Sequence, residues 1–158
     1  MLNKKILSSI FIFFSLTYAN ALDTTMFLGF TGAKVDGENY SQITIGQTTK
    51  EKLDNDVILG FANSINYGTL NSNSITTYDL DLKLGYQIND ELRAYILGTT
   101  ALQTYDNSTY YGFGYGASVE YKVNRNFALE VLYKEIDMKK SDIKYTYNTS
   151  GLAIKLSF

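Results

Sequence analysis

The chain has no cysteine, no histidine, no proline and no tryptophan among its 158 residues. Each absence removes something. Without Cys there is no disulfide framework, thiolate zinc site or thiol redox centre. Without His there is no Ser-His triad, no Asp-His pair and no imidazole-held metal, so the general base that most hydrolases use is missing. Without Pro, no backbone amide lacks its hydrogen, which suits a chain whose N–H groups are needed in sheet ladders. Basic charge is not in excess either. If Lys4 and Lys5 are removed with the leader described below, 12 basic residues face 16 acidic ones. A weakly acidic surface leaves no electrostatic footprint for nucleic acid.

What is present begins with an address. Asn3-Lys4-Lys5 is a short positive segment, Ile6 to Leu16 is apolar, and Ala19-Asn20-Ala21 has the small-x-small pattern of a signal-peptidase site. The apolar stretch is too short for a membrane-spanning helix, which needs about 20 residues. Residues 1–21 are therefore expected to be a cleaved signal peptide and 22–158 one domain.

Within that domain the dominant period is two. Tyr78, Leu80, Leu82, Leu84 and Tyr86 share one face of Thr77 to Gln87, and Asp79, Asp81 and Lys83 share the other. Tyr111 to Val123 alternates aromatic and aliphatic residues with Gly112, Gly114, Gly116, Ser118, Glu120 and Lys122. Phe127, Leu129, Val131 and Tyr133 oppose Ala128, Glu130, Leu132 and Lys134, and Leu152, Ile154, Leu156 and Phe158 oppose Gly151, Ala153, Lys155 and Ser157. Weaker strands cover Thr25 to Ala33, Ser41 to Gln47, and Val57 to Tyr67, where Asn63 interrupts the apolar face. Leu92 to Leu102 is ambiguous, because Arg93 inward also turns Tyr95 and Leu97 inward. Alternation of this kind predicts strands, eight in all.

The connections divide into two kinds. Asn89-Asp90 and Asn124-Arg125-Asn126 are short turn-formers, whereas Gly68 to Ile75, Asp106 to Thr109 and Asp137 to Asp142 are expected to be longer polar loops. Thr48 to Asp56 breaks this alternation, being long where a short turn is due.

A soluble barrel fills its interior with the apolar face. Here the polar face combines small residues with charges of both signs, the composition of a lumen that side chains just fill. The large apolar face suits lipid. Tyr78 and Tyr86 lie eight residues apart, about 26 Å along a strand and ~20 Å across a bilayer once tilted, close to the height of an apolar band with aromatic girdles. The predicted fold is all-β: an eight-stranded antiparallel up-and-down transmembrane β-barrel. Asp79, Asp81, Lys83, Arg93, Glu120, Lys122, Glu130, Lys134 and Lys155 are expected to form a structural charge network in its lumen.

The carboxylates of this set are the remaining candidates for acid–base chemistry, but pairing with the lysines is the stronger expectation. Gly112-x-Gly114-x-Gly116 has the wrong spacing for a dinucleotide fingerprint. The Lys50 to Asp56 segment does not match a twelve-residue calcium loop. No catalytic, cofactor or metal residue is assigned.

The C-terminal Gly151-Leu-Ala-Ile-Lys-Leu-Ser-Phe158 resembles the assembly signal of outer-membrane proteins, with Leu152, Ile154, Leu156 and Phe158 as its alternating apolar residues. The domain is similar throughout to small OmpA/OmpX-type barrels, often labelled porin-family. That resemblance implies a bacterial outer-membrane location, contact with membrane lipid, recognition by the barrel assembly machinery through the last strand, and a monomer. The expected function is a non-enzymatic envelope-structural or surface-loop binding role. A narrow solute pore and a secreted lipocalin-like binding protein are the alternatives.

Overall fold

A computed structural model describes residues 23–157; the expected signal peptide and Phe158 lie outside the described residues. Eight strands follow in order: β1 (Asp23–Val35), β2 (Glu38–Lys52), β3 (Val57–Leu70), β4 (Asn73–Gln87), β5 (Leu92–Tyr105), β6 (Ser108–Lys122), β7 (Phe127–Lys140) and β8 (Ile143–Ser157). Each pairs antiparallel with its sequence neighbour, and β8 returns to β1 to close the barrel. Closure leaves no unpaired edge, so the wall's backbone groups are satisfied within the sheet.

Stagger fixes the tilt. Following paired residues round the barrel from Thr25 leads through Thr48, Ala62, Asp81, Thr99, Gly114, Ile136 and Tyr147 to Val35, ten residues further along β1. With ~3.3 Å per residue and ~4.8 Å between strands, that stagger tilts the strands about 40° from the axis. A strand of 14 residues such as β3 then rises about 35 Å, more than an apolar band of ~25 Å requires.

The connections differ from expectation. At one end, Asp36-Gly37, Asn71-Ser72, Asp106-Asn107 and Ser141-Asp142 are all two-residue hairpins. The first three carry positive φ at both central residues, between 45° and 89°, and Ser141 has φ 51°. Short polar residues and Gly tolerate that region, and its twist matches a hairpin. Outside these two-residue turns, the stretches expected to be long loops are strand: their polarity comes from an outer face standing in water, not from irregular backbone. At the other end, where Asp23 and Ser157 also lie, the links are four residues each: 53–56, 88–91 and 123–126. Asn89 Oδ1 accepts hydrogen bonds from the amides of Glu91 and Leu92, and Asn124 Oδ1 from that of Asn126. The Thr48 to Asp56 irregularity disappears because β2 continues to Lys52.

Alternation sets which side chains enter the lumen. On β4, Asp79, Asp81 and Lys83 are buried, whereas Leu82 and Leu84 are exposed outside. The ambiguity on β5 is resolved inward: Tyr95 and Leu97 are buried beside Arg93, and Ile96 points out. Charge decides the register there, because an outward Arg93 would put its guanidinium toward the apolar side.

Polarity then inverts along the axis. Over most of the height the outer face is apolar (Phe30 66% exposed, Leu82 60%, Ile96 64%, Phe113 69%) and the lumen is charged. Toward the hairpins the lumen becomes apolar, with Val35, Tyr40, Leu70, Ile75, Ile136, Met138 and Tyr147 in one buried cluster. There the outer face turns polar, with Asn39, Ser74, Thr104, Asp137 and Thr146 on the outward register. The hairpin end is built like a soluble barrel, the remainder like a membrane one.

Candidate functional site

The lumen places charged residues from six strands within reach of one another. Nearer the termini, Glu120 on β6 accepts from Lys50 (2.8 Å), Arg93 (2.7 Å) and Lys155 (2.7 Å). Lys155 continues to Glu130 (2.8 Å), which also binds Lys83 and accepts the Ser118 hydroxyl at 2.5 Å. Nearer the hairpins, Lys134 on β7 bridges Asp79 (2.9 Å) and Asp81 (2.8 Å) on β4. Asn66 donates to Asp79 at 3.1 Å and Thr99 to Asp81 at 2.7 Å. Leaving one of these ions alone in such a confined interior would be costly, and mutual pairing with extra hydrogen bonds is the arrangement that offsets it.

Of the nine network residues named from the sequence, eight are joined this way. Lys122 is the exception: it stands half-buried at the terminal mouth and makes no ion pair with a described residue. Lys50, which the sequence places in a turn, joins them: Tyr40, Gln42, Thr44, Gly46, Thr48 and Lys50 all lie on the inward register of β2. It stands two inward positions beyond the strand expected over Ser41 to Gln47. Leu152, Ile154 and Leu156 face outward on β8; Phe158 is outside the described residues.

Small residues let neighbouring strands approach closely. A Cβ on Gly114 would fall 2.1 Å from the Glu135 carbonyl oxygen and 2.6 Å from Ile136 Cα. The glycine run on β6 is therefore an accommodation to β7. No phosphate-holding helix follows it, since β7 is next.

Little space remains in the lumen. A cavity of about 20 Å³ lies among Thr48, Asp79, Asp81, Lys83, Leu97, Glu130 and Lys134, enough for about one water. Above it, tyrosines close the hairpin end. Tyr110 and Tyr145 meet edge to face with centroids 5.0 Å apart. Tyr145 donates to Gln103 at 2.5 Å, and Tyr147 lies 2.7 Å from the Gln42 amide nitrogen. At the terminal mouth a depression of about 70 Å³ is bordered by Lys50, Arg93, Glu120 and Lys122. Among the described residues no group of three or more Asp or Glu side chains is placed to hold a metal.

Outside, tyrosines mark the borders of the apolar band: Tyr121 donates to Glu91 at the terminal end, and Tyr67 shares a hydrogen bond with Ser74 near the hairpins. Tyr115 and Tyr133 both donate to Glu135 at mid-strand. Amphipathic rings at both rims of an apolar belt are the arrangement of transmembrane barrels.

Solved structures agree. The chain is similar to Neisserial surface protein A, with a TM-score of 0.62 and 12% identity over 88% of this chain and 98% of that one. In fold it is an OmpA/OmpX-type transmembrane barrel. It is also similar to Ail, the attachment invasion locus protein of Yersinia pestis (TM-score 0.58, 15% identity, 87% of this chain and 97% of that one). A third likeness is to the outer membrane enzyme PagL (TM-score 0.54, 10% identity, 86% and 99%). At these identities the likeness is one of fold, and that fold serves an enzyme among others. No protein-family model and no curated protein matches the sequence. Over most of its height, a charged lumen inside an apolar outer band is the reverse of a lipocalin-like barrel with an apolar interior pocket.

Proposed function

We propose that the chain is a non-enzymatic barrel of the bacterial outer membrane, monomeric, with an envelope-structural role. The observation that carries this reading is the mutual pairing of the lumen charges. Nine charged side chains, five basic and four acidic, hold one another in ion pairs inside the barrel. Groups committed in this way stabilise a wall; they are not free to bind substrate or line an ion path. The leader pattern of residues 1–21 and the outward apolar register of β8 support export and recognition by the barrel assembly machinery.

Short hairpins change what the exposed end offers. In place of long mobile loops, a partner would meet the polar outer faces of the strands and four two-residue turns. Surface binding, if it is part of the role, then belongs to a rigid rim.

Refolding the domain into detergent and lipid tests the reading. Unboiled protein should migrate differently from boiled protein on a gel, and planar bilayers at high protein load should show no conductance steps. Regular steps would favour the narrow pore, and full solubility without detergent would overturn the membrane assignment.

A further inference from the structure

The terminal mouth of the barrel holds more positive charge than its own carboxylates cover. Five basic and two acidic side chains line the depression of about 70 Å³ there, Arg125 and Asp23 among them. Glu120 already serves three of the cations, accepting from Lys50 and Arg93 on Oε1 and from Lys155 on Oε2. Asp23 is half-exposed and stands 3.7 Å from Lys50. Lys122 and Arg125 make no ion pair with a described residue. Even with Lys155 assigned to Glu130, four cations face two carboxylates.

These cations are placed by the backbone. Lys122 follows Glu120 on the inward register of β6, and its amide donates to the Glu91 carbonyl at 2.7 Å. Arg125 sits in the link 123–126. There the Asn126 amide donates to Asn124 Oδ1 at 2.9 Å, and the Asn126 side chain donates to the Ser157 carbonyl at 3.0 Å. Those bonds fix the turn that carries Arg125 on the rim of the depression. Arg93 reaches Glu120 through Nη1, and its buried Nε has no hydrogen-bond partner among the described residues. A buried donor without an acceptor is costly. The mouth is therefore short of acceptors as well as of negative charge.

We propose that this mouth binds one tetrahedral oxyanion, a phosphate group in small soluble form, between Lys122, Arg125 and Arg93. Three observations select this class. The uncovered charge, four cations against two carboxylates, suits a dianion better than a single carboxylate or a halide. Guanidinium and ammonium groups are the donors that phosphate takes, and a guanidinium can fork onto two of its oxygens. The space is several times the ~15 Å³ that one water needs, which admits an anion of this size and excludes a long polyanion. Lys122 and Arg93 point into the ring of strands and not onto its lipid face. The phosphate therefore comes from solution and not from a lipid headgroup. This site goes beyond the envelope role proposed above and uses none of the outer wall.

Titration calorimetry of the barrel refolded in a neutral maltoside detergent tests the site, with inorganic phosphate, sulfate, acetate and chloride compared at constant ionic strength. Phosphate and sulfate should bind once per barrel and at least about tenfold tighter than acetate, and chloride should show no saturable binding. Lys122→Gln and Arg125→Gln should each weaken phosphate by about fivefold, and the double variant should lose it. Neither residue pairs with a described residue, so both variants should fold, which heat-modifiable gel migration checks. Arg93→Lys keeps a cation beside Glu120 but lacks the guanidinium fork, and should also weaken phosphate. Lys139→Gln with Lys144→Gln, a pair at the hairpin end, should leave binding unchanged. Phosphatidic acid carried in the micelle presents the same phosphate from the lipid side and should not displace the inorganic anion. Equal binding of acetate, displacement by phosphatidic acid, or full phosphate binding by the folded Lys122→Gln/Arg125→Gln barrel would overturn the proposal.

Discussion

Lys155 Nζ lies 2.7 Å from Glu120 Oε2, with the two side chains 1% and 0% exposed and 35 residues apart in sequence. Periodicity within one strand does not bring them together; the registers of β6 on β7 and of β7 on β8 do. Lys155 also holds Glu130 at 2.8 Å, so one ammonium joins two carboxylates on neighbouring strands.

Replacing that ammonium should therefore be expensive. Lys155→Met leaves Glu120 with Lys50 and Arg93, but leaves Glu130 with Lys83 alone. A loss of about 3 kcal/mol is expected in urea titrations of the refolded barrel, the lower end of the cost of breaking a buried pair. Adding Glu130→Gln should recover part of it, because the double variant no longer buries the weakened charge.

Face assignment makes a second prediction. Leu82→Arg, on the lipid side of β4, should cost ~2–4 kcal/mol, whereas Thr104→Arg, outward near the hairpins, should cost about 0–1 kcal/mol. Equal costs in the same titration would show that the outer face does not change character along the axis.

The apolar cluster at the hairpin end predicts core behaviour. Ile136 is fully buried among Met138, Tyr147 and their neighbours, so Ile136→Ala should lose about 2–4 kcal/mol, as a large-to-small change in a packed core does. A neutral result would mean that this end is not packed.

Glycines on the two faces should separate cleanly. Gly114→Ala forces a methyl against the Glu135 carbonyl oxygen, and backbone on both sides cannot yield cheaply. Refolding yield and urea midpoint should both fall, while Gly98→Ala should leave them unchanged.

Much of this was legible before any coordinates. Strict alternation on β4, β6, β7 and β8 gave strand count and inward register together, because one face was large and apolar and the other small and charged. Other features were hidden for specific reasons. Polar residues near the hairpins, such as Ser74 and Thr76, look like loop in a sequence but are solvated strand beyond the apolar band. Lys50 was hidden because Thr48, Thr49 and the charges after them suggested a turn. The direction of Arg93 depended on Glu120, a partner on the adjacent strand that periodicity within β5 cannot reveal. The apolar hairpin-end lumen was hidden because Ile136 and Met138 continue the inward register of Lys134, where charge and not hydrophobicity had marked the lumen.

The central claim is that the outer face meets lipid along most of the barrel and water near the hairpins. A chain without tryptophan allows a direct test, since a single introduced Trp is the only indole present. In bilayers of lipid brominated along the acyl chain, fluorescence of Leu82→Trp and Val131→Trp should be strongly quenched. That of Asp137→Trp and Thr146→Trp should be almost unaffected. Equal quenching at all four positions, or none at Leu82→Trp, would contradict the account.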